Sequence, residues 1–202
     1  MNAFIDQRNV HTLKRDLAAV AVGIAVIWAV FGLDYFLPLE QLGLVPRTFR
    51  GVIGIFAMPF LHGDLSHLIG NTIPLAVTLL LLAGSRANSG GIVILIGLMC
   101  GCGLWLFGRE ALHIGASGIV FGLIAFHVFA GVFERRLQSV LISIIVGLLY
   151  ASTVIQGVVP FQQGVSWEGH LIGAISGAVV ALLSARQLRQ ASAAPTSSIS
   201  QL

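Results

Sequence analysis

Six stretches of this chain run for 17 residues or more without an Asp, Glu, Lys or Arg: Leu17–Leu33, Leu65–Ser85, Gly90–Phe107, Gly115–Phe133, Leu137–Val159 and Gly169–Ala185. A helix rises about 1.5 Å per residue, so runs of this length suffice to cross a hydrocarbon core roughly 30 Å thick. Inside lipid every backbone N–H and C=O must be paired within the protein, which leaves helices or a closed barrel. Barrel strands would alternate apolar and polar residues over about ten positions, and these runs do not alternate. Charged residues make up 9% of the 202, against about a quarter in a soluble domain, too few to solvate a water-facing surface. The expected fold is all-α: a polytopic bundle of six transmembrane helices in a lipid bilayer. This composition disfavours a disordered chain, a secreted disulfide scaffold and a nucleic-acid-binding module.

The first run follows Lys14 and Arg15, as a signal peptide would, but it ends in Asp34-Tyr35-Phe36-Leu37-Pro38 with no small-residue cleavage site, so it reads as a retained span. Between the first two runs lies an apolar half-run, Gly51–Leu61, too short to cross and therefore re-entrant or interfacial. Residues 1–16 are expected to form a cytoplasmic N-terminal segment, 17–186 the membrane domain, and 187–202 a disordered cytoplasmic tail rich in Ser, Ala and Thr. Counted by alternate loops, Arg8, Lys14, Arg15, Arg86, Arg135, Arg136, Arg186 and Arg189 fall on one side, and Arg47, Arg50 and Arg109 on the other. The positive-inside rule then puts both termini in the cytoplasm. The net charge of +3 thus sets orientation rather than attracting nucleic acid. Cys100 and Cys102, one residue apart in an apolar run, lack further cysteines for a zinc site and read as small apolar side chains.

Polar side chains inside spans are costly and are candidates for function. His67 and Asn71 are four residues apart at the start of the second run, so they share a helical face; they could serve only to hydrogen bond between helices. The fourth run opens Gly115-Ala116-Ser117-Gly118, where the serine could be a simple cap. Gly118 and Gly122 form a GxxxG pattern that lets a second helix approach closely. In the sixth run His170, Gly173 and Gly177 lie at i, i+3 and i+7, which puts the histidine and a glycine groove on one face. Ser117 and His170 both open a span entered from the same side, so their depths should match.

A serine hydroxyl becomes a nucleophile when a base takes its proton, and imidazole suits that role. No carboxylate lies within a run to orient the histidine, so the reading is a Ser–His dyad rather than a triad. Acyl transfer also needs donors at the developing oxyanion: the Asn71 amide, the His67 ring N–H and the Ser117 backbone N–H could supply them. Among the other histidines, His113 reads as an outer-loop residue. His127, ten residues beyond Ser117 and so roughly 15 Å deeper, reads as a packing contact, and His62 as a support for His67 or its loop. Trp105 and Trp167 fit interfacial anchors, and Trp28 reads as packing.

Three motifs together resemble the rhomboid family of intramembrane serine proteases. His62-Gly-Asp-Leu-Ser-His67-Leu-Ile-Gly-Asn71 is similar to the family's second-helix HxxxN signature. Gly115-Ala-Ser117-Gly118 matches its GxSG, and Gly169-His170-Leu-Ile-Gly173-Ala-Ile-Ser-Gly177 its sixth-helix histidine with spaced glycines. The resemblance covers about Phe49 to Ala185. It implies Ser117 as nucleophile, His170 as base, and His67, Asn71 and Ser117 at the oxyanion, with Gly115, Gly118, Phe121, Gly173 and Gly177 supporting. It implies a membrane-dipping first loop, with Phe49-Arg50 similar to the usual Trp-Arg pair. It also implies a bacterial inner membrane location, no metal or other cofactor, and single-span membrane proteins as substrates, cut at small, helix-weakening residues. Phe121 stands where Tyr is frequent and can stack but not hydrogen bond; Gly169 stands where Ala is common. Two rival readings are an inactive relative that binds membrane proteins, which should lack Ser117 or His170, and a small transporter, which should show intramembrane charge, broken helices or a repeat.

Overall fold

The computed structural model describes residues 7–86, 88–160 and 164–193. Their elements are helical: α1 (Gln7–Asp34), α2 (Phe49–Ala57), α3 (Leu65–Ser85), α4 (Ser89–Phe107), α5 (Ser117–Glu134), α6 (Leu137–Gly157) and α7 (Trp167–Ala193), with short 3₁₀ turns at Leu39–Leu42 and Met58–Phe60. Six of these, all but α2, contain segments long and apolar enough to cross a membrane. Each overlaps one charge-free run. The half-run becomes α2 followed by the second 3₁₀ turn. Helix α7 continues through the start of the expected tail to Ala193; the rest of that tail, and residues 1–6 of the N-terminal segment, lie outside the described residues.

Helix α5 is the axis of the bundle. Of its apolar window 56% is buried, against 6% for α6. Val120, Leu123, Phe126 and Ala130 of α5 pack with Leu68, Leu75 and Leu82 of α3, Ile92 and Ile96 of α4, Val146 of α6 and Val180 and Ala181 of α7. Facing outward are Ile94, Leu148 and Ile155, the last two 80% and 66% exposed. A belt of that kind would drive aggregation in water and is ordinary in lipid.

Local chemistry sets the ends of the helices. Asp64 caps α3 by accepting the His67 N–H (2.8 Å) and the Ser66 hydroxyl; these two bonds, the hydroxyl's first, hold its carboxyl below the usual range. Thr48 caps α2 through the Gly51 N–H (3.0 Å). The loop carrying α2 is pinned to the end of α4: the Trp105 indole donates to Thr48 O (2.9 Å) and the Arg47 guanidinium to Gly108 O (2.7 Å). At the opposite end of the bundle Arg86 meets the buried Glu134 at 2.8 Å, and the Ser139 hydroxyl donates to the same carboxylate (2.6 Å). Trp28 does more than pack: its indole N–H donates to Thr72 Oγ1 (3.2 Å) and ties α1 to α3.

Candidate active site

At the end of the bundle where the α2 loop sits, a cavity of about 950 Å³ opens between α3, the 109–114 loop, α5, α6 and α7. His67, Asn71, Ser117, Phe121 and His170 all line it, so the residues singled out on three separate runs do meet. Ser117 is the first residue of α5, and no side chain caps that end. The first N–H groups of a helix have no carbonyl ahead of them and carry the positive end of its dipole. The Ile119 and Val120 N–H groups turn back to Ala116 O (2.9 and 3.0 Å), which leaves those of Ser117 and Gly118 as the donors at this end.

The approach to Ser117 is set by Gly115, whose φ of +111° is one that side chains rarely adopt. There is also no room for one. A Cβ at Gly115 would stand 2.6 Å from His67 Nε2 and 3.3 Å from Asn71 Nδ2. The backbone entering the serine thus passes directly against the two polar side chains of α3, and the Gly115 N–H is anchored on Met58 O (2.8 Å). Asn71 is 6% exposed and its amide nitrogen has no partner among the described residues. Leaving such a donor unpaired costs about 1–3 kcal/mol, so its retention beside Ser117 calls for an explanation.

His170 is held from two sides. Its Nδ1 lies 2.8 Å from Gly157 O. A carbonyl can only accept, so Nδ1 carries the proton, and in the neutral ring Nε2 is left with a lone pair. The Phe121 ring stacks on the imidazole, centroids 4.1 Å apart and planes 5° from parallel. Gly157 was not singled out from the sequence, where a glycine ending an apolar run reads only as a helix stop. Its lack of a Cβ matters, because one would overlap the Phe121 ring and stand 3.0 Å from His170 Nδ1. Ser117 and His170 share the cavity, but no hydrogen bond joins them among the described residues; in a substrate-free site such bonds are often long.

Backbone packing brings the two helices to this distance. A Cβ at Gly173 would collide with the carbonyl of Gly118, and one at Gly177 with that of Gly122. The GxxxG face of α5 and the glycine groove of α7 are in direct contact. Cys100 fills the neighbouring gap, its thiol 3.5 Å from Gly169 O.

Three further histidines, His62, His113 and His127, separate cleanly. His113 is buried within its loop: Nε2 donates to Arg109 O (3.1 Å), so Nδ1 accepts from the Ser166 hydroxyl (2.7 Å). With both nitrogens engaged it has no lone pair to offer as a base. His127 donates to Thr78 O (3.0 Å) and joins α5 to α3. His62 is buried, and neither ring nitrogen makes a well-formed hydrogen bond to a described residue. Burial, reinforced by the neighbouring His67, pushes His62 down to about 4, and burial also holds His113 below its ordinary value. In the unfolded chain both would take up protons near pH 6.5. Their contribution to stability is therefore complete above that value and is lost as pH falls toward 4. The melting temperature in detergent is expected to drop between about pH 7 and about pH 5, and to drop less in His62→Phe.

Residues 50–187 match the family described as the Rhomboid domain. The chain is similar to an uncharacterized protein of Mycobacterium tuberculosis (strain H37Rv), 36% identical over 165 residues that cover 77% of this chain and 68% of the relative. The same figures hold for an uncharacterized protein of Mycobacterium bovis. An uncharacterized protein of Mycobacterium leprae is 40% identical over 141 residues, 64% of this chain and 55% of the relative. With six apolar helices and a family match over most of its length, this multi-pass membrane protein belongs to the rhomboid family.

Proposed function

We propose that this chain is an intramembrane serine endopeptidase that hydrolyses peptide bonds in or near the transmembrane segments of single-span membrane proteins, using Ser117 and His170. One observation carries the reading: the Gly157 carbonyl holds the proton of His170 on Nδ1, which leaves Nε2 as the basic nitrogen in a ring that lines the same cavity as Ser117. Family membership supports it, because rhomboids are in general intramembrane serine proteases.

The chemistry follows from the groups present. Ser117 Oγ attacks the scissile carbonyl carbon as His170 Nε2 accepts its proton. The carbonyl oxygen becomes an oxyanion that takes hydrogen bonds from the Ser117 N–H, the Asn71 amide and the His67 ring. Collapse of this intermediate breaks the C–N bond, and His170 returns the proton to the leaving amine. Water, activated by the same nitrogen, then releases the acyl group from the serine. The Gly157 carbonyl takes the orienting part that a carboxylate plays in a triad. By the charge asymmetry of the loops the site faces the side opposite the termini.

Purified protein reconstituted with a single-span membrane protein tests this: two fragments should appear, with a new N-terminus in or next to the span. No cleavage of any such substrate would overturn the reading. Asn71→Ala should lower kcat by about 10²–10³-fold while leaving KM little changed, since it removes a donor used only in the transition state.

A further inference from the structure

His62 takes no part in the steps above. It sits between the 3₁₀ turn Met58–Phe60 and α3, 1% exposed; neither ring nitrogen makes a well-formed hydrogen bond to a described residue, and the Phe60 backbone lies close enough to favour a proton on the ring. A neutral imidazole carries a donor and an acceptor, and burying them without well-formed partners is costly. An aliphatic side chain would fill the same place without that cost. What the ring does touch is another histidine. It meets the His67 ring edge to face, centroids 5.0 Å apart and planes at 64°, an arrangement aromatic rings prefer.

The His67 ring, for its part, makes no hydrogen bond to any described residue. Its terminal torsion is of the soft, two-fold kind, so contacts alone decide where its N–H points. On one side stands Gly115, close enough that a Cβ would come within 2.6 Å of Nε2; on the other stands His62. Behind His62 a second cavity of about 180 Å³ is lined by Asp34, Glu40 and Gly63, among others. At about 30 Å³ per molecule it has room for several waters, and the two carboxylates can hold them. His62 forms part of the wall between this polar pocket and the His67 ring, so the pocket leaves its ring no apolar packing on that side.

We propose that His62 is a positioning residue for His67: wedged between a polar pocket and the His67 ring, it presses that ring toward Gly115 and aims its N–H at the oxyanion. This rests on the protease reading above. It acts through His67 and touches no substrate.

A double-mutant cycle on the reconstituted full chain, with a single-span substrate, separates this role from plain packing. His62→Phe keeps the ring but loses both nitrogens, and should lower kcat about tenfold to a hundredfold with KM nearly constant. Placed in a His67→Ala background, the same change should alter kcat by less than about twofold. His62→Gln, which retains a donor and an acceptor, should recover part of the loss and serves as the second variant should His62→Phe fail to fold. An equal loss of kcat in both backgrounds, or no loss with His67 intact, would overturn the proposal while leaving the protease reading in place. Wild-type protein that cannot cleave, or a Ser117→Ala protein that still does, would overturn the protease reading and this proposal together.

Discussion

Ser117→Ala and His170→Ala are each expected to lower cleavage by roughly 10⁴-fold or more, and the double variant to be no worse than either alone. The reason lies in how the two groups depend on one another. Without the imidazole the hydroxyl keeps its proton and is a poor nucleophile; without the hydroxyl the base has nothing to activate. Neither substitution should cost much stability. Ser117 makes no side-chain hydrogen bond to a described residue and stands half-buried at the mouth of the cavity. His170 gives up its bond to Gly157 O and its stacking on Phe121, worth about 1–2 kcal/mol together. Melting curves close to wild type beside a loss of turnover would show that chemistry was removed and not the fold. Losses that multiply in the double variant would instead mean that the residues act separately.

The second large effect concerns packing. Gly177→Leu should destabilise the protein by on the order of 3 kcal/mol or more and abolish cleavage, because the new Cβ would meet the Gly122 backbone carbonyl. A flexible side chain could move aside; two helix backbones cannot without parting along their length. Parting α5 from α7 would draw Ser117 away from His170, so activity and stability should fall together. Gly147→Leu is the matched control. A Cβ at Gly147 meets nothing within 4 Å, and a leucine facing lipid from α6 should leave both properties near wild type. Thermal melting in micelles together with cleavage rates would check both.

How much of this was legible in the sequence depended on the kind of signal. Absence of charge accumulates over a whole span, so all six runs correspond to helices. Their boundaries are less exact, because charge does not end a helix: α1 begins at Gln7, well before Leu17, and Asp16 within it is buried and accepts the Ser89 hydroxyl (2.6 Å). The fourth run was read from Gly115, yet the helix starts at Ser117, as the positive φ of Gly115 keeps it outside. The glycine faces of α5 and α7 were readable because helical spacing places i, i+4 and i, i+3, i+7 on one side.

Groups acting through the backbone left no trace. The carbonyl that orients His170 belongs to Gly157, and every residue has a carbonyl. The Arg47 clasp on Gly108 O and the buried Arg86–Glu134 pair join positions 61 and 48 residues apart, which no local pattern could link. Trp28 was read as packing because a single indole carries no hint of the Thr72 hydroxyl it meets. The burial of His62 against the His67 ring depends on neighbours that no local pattern names.

In the proposed mechanism Ser117 is a nucleophile because His170 makes it one. A fluorophosphonate probe reacts with an activated serine, and peptide mapping by mass spectrometry locates the adduct. The wild-type protein should carry a single adduct, on Ser117, and the folded His170→Ala variant none. An adduct at another residue, or labelling of Ser117 that proceeds at the same rate without His170, would contradict it.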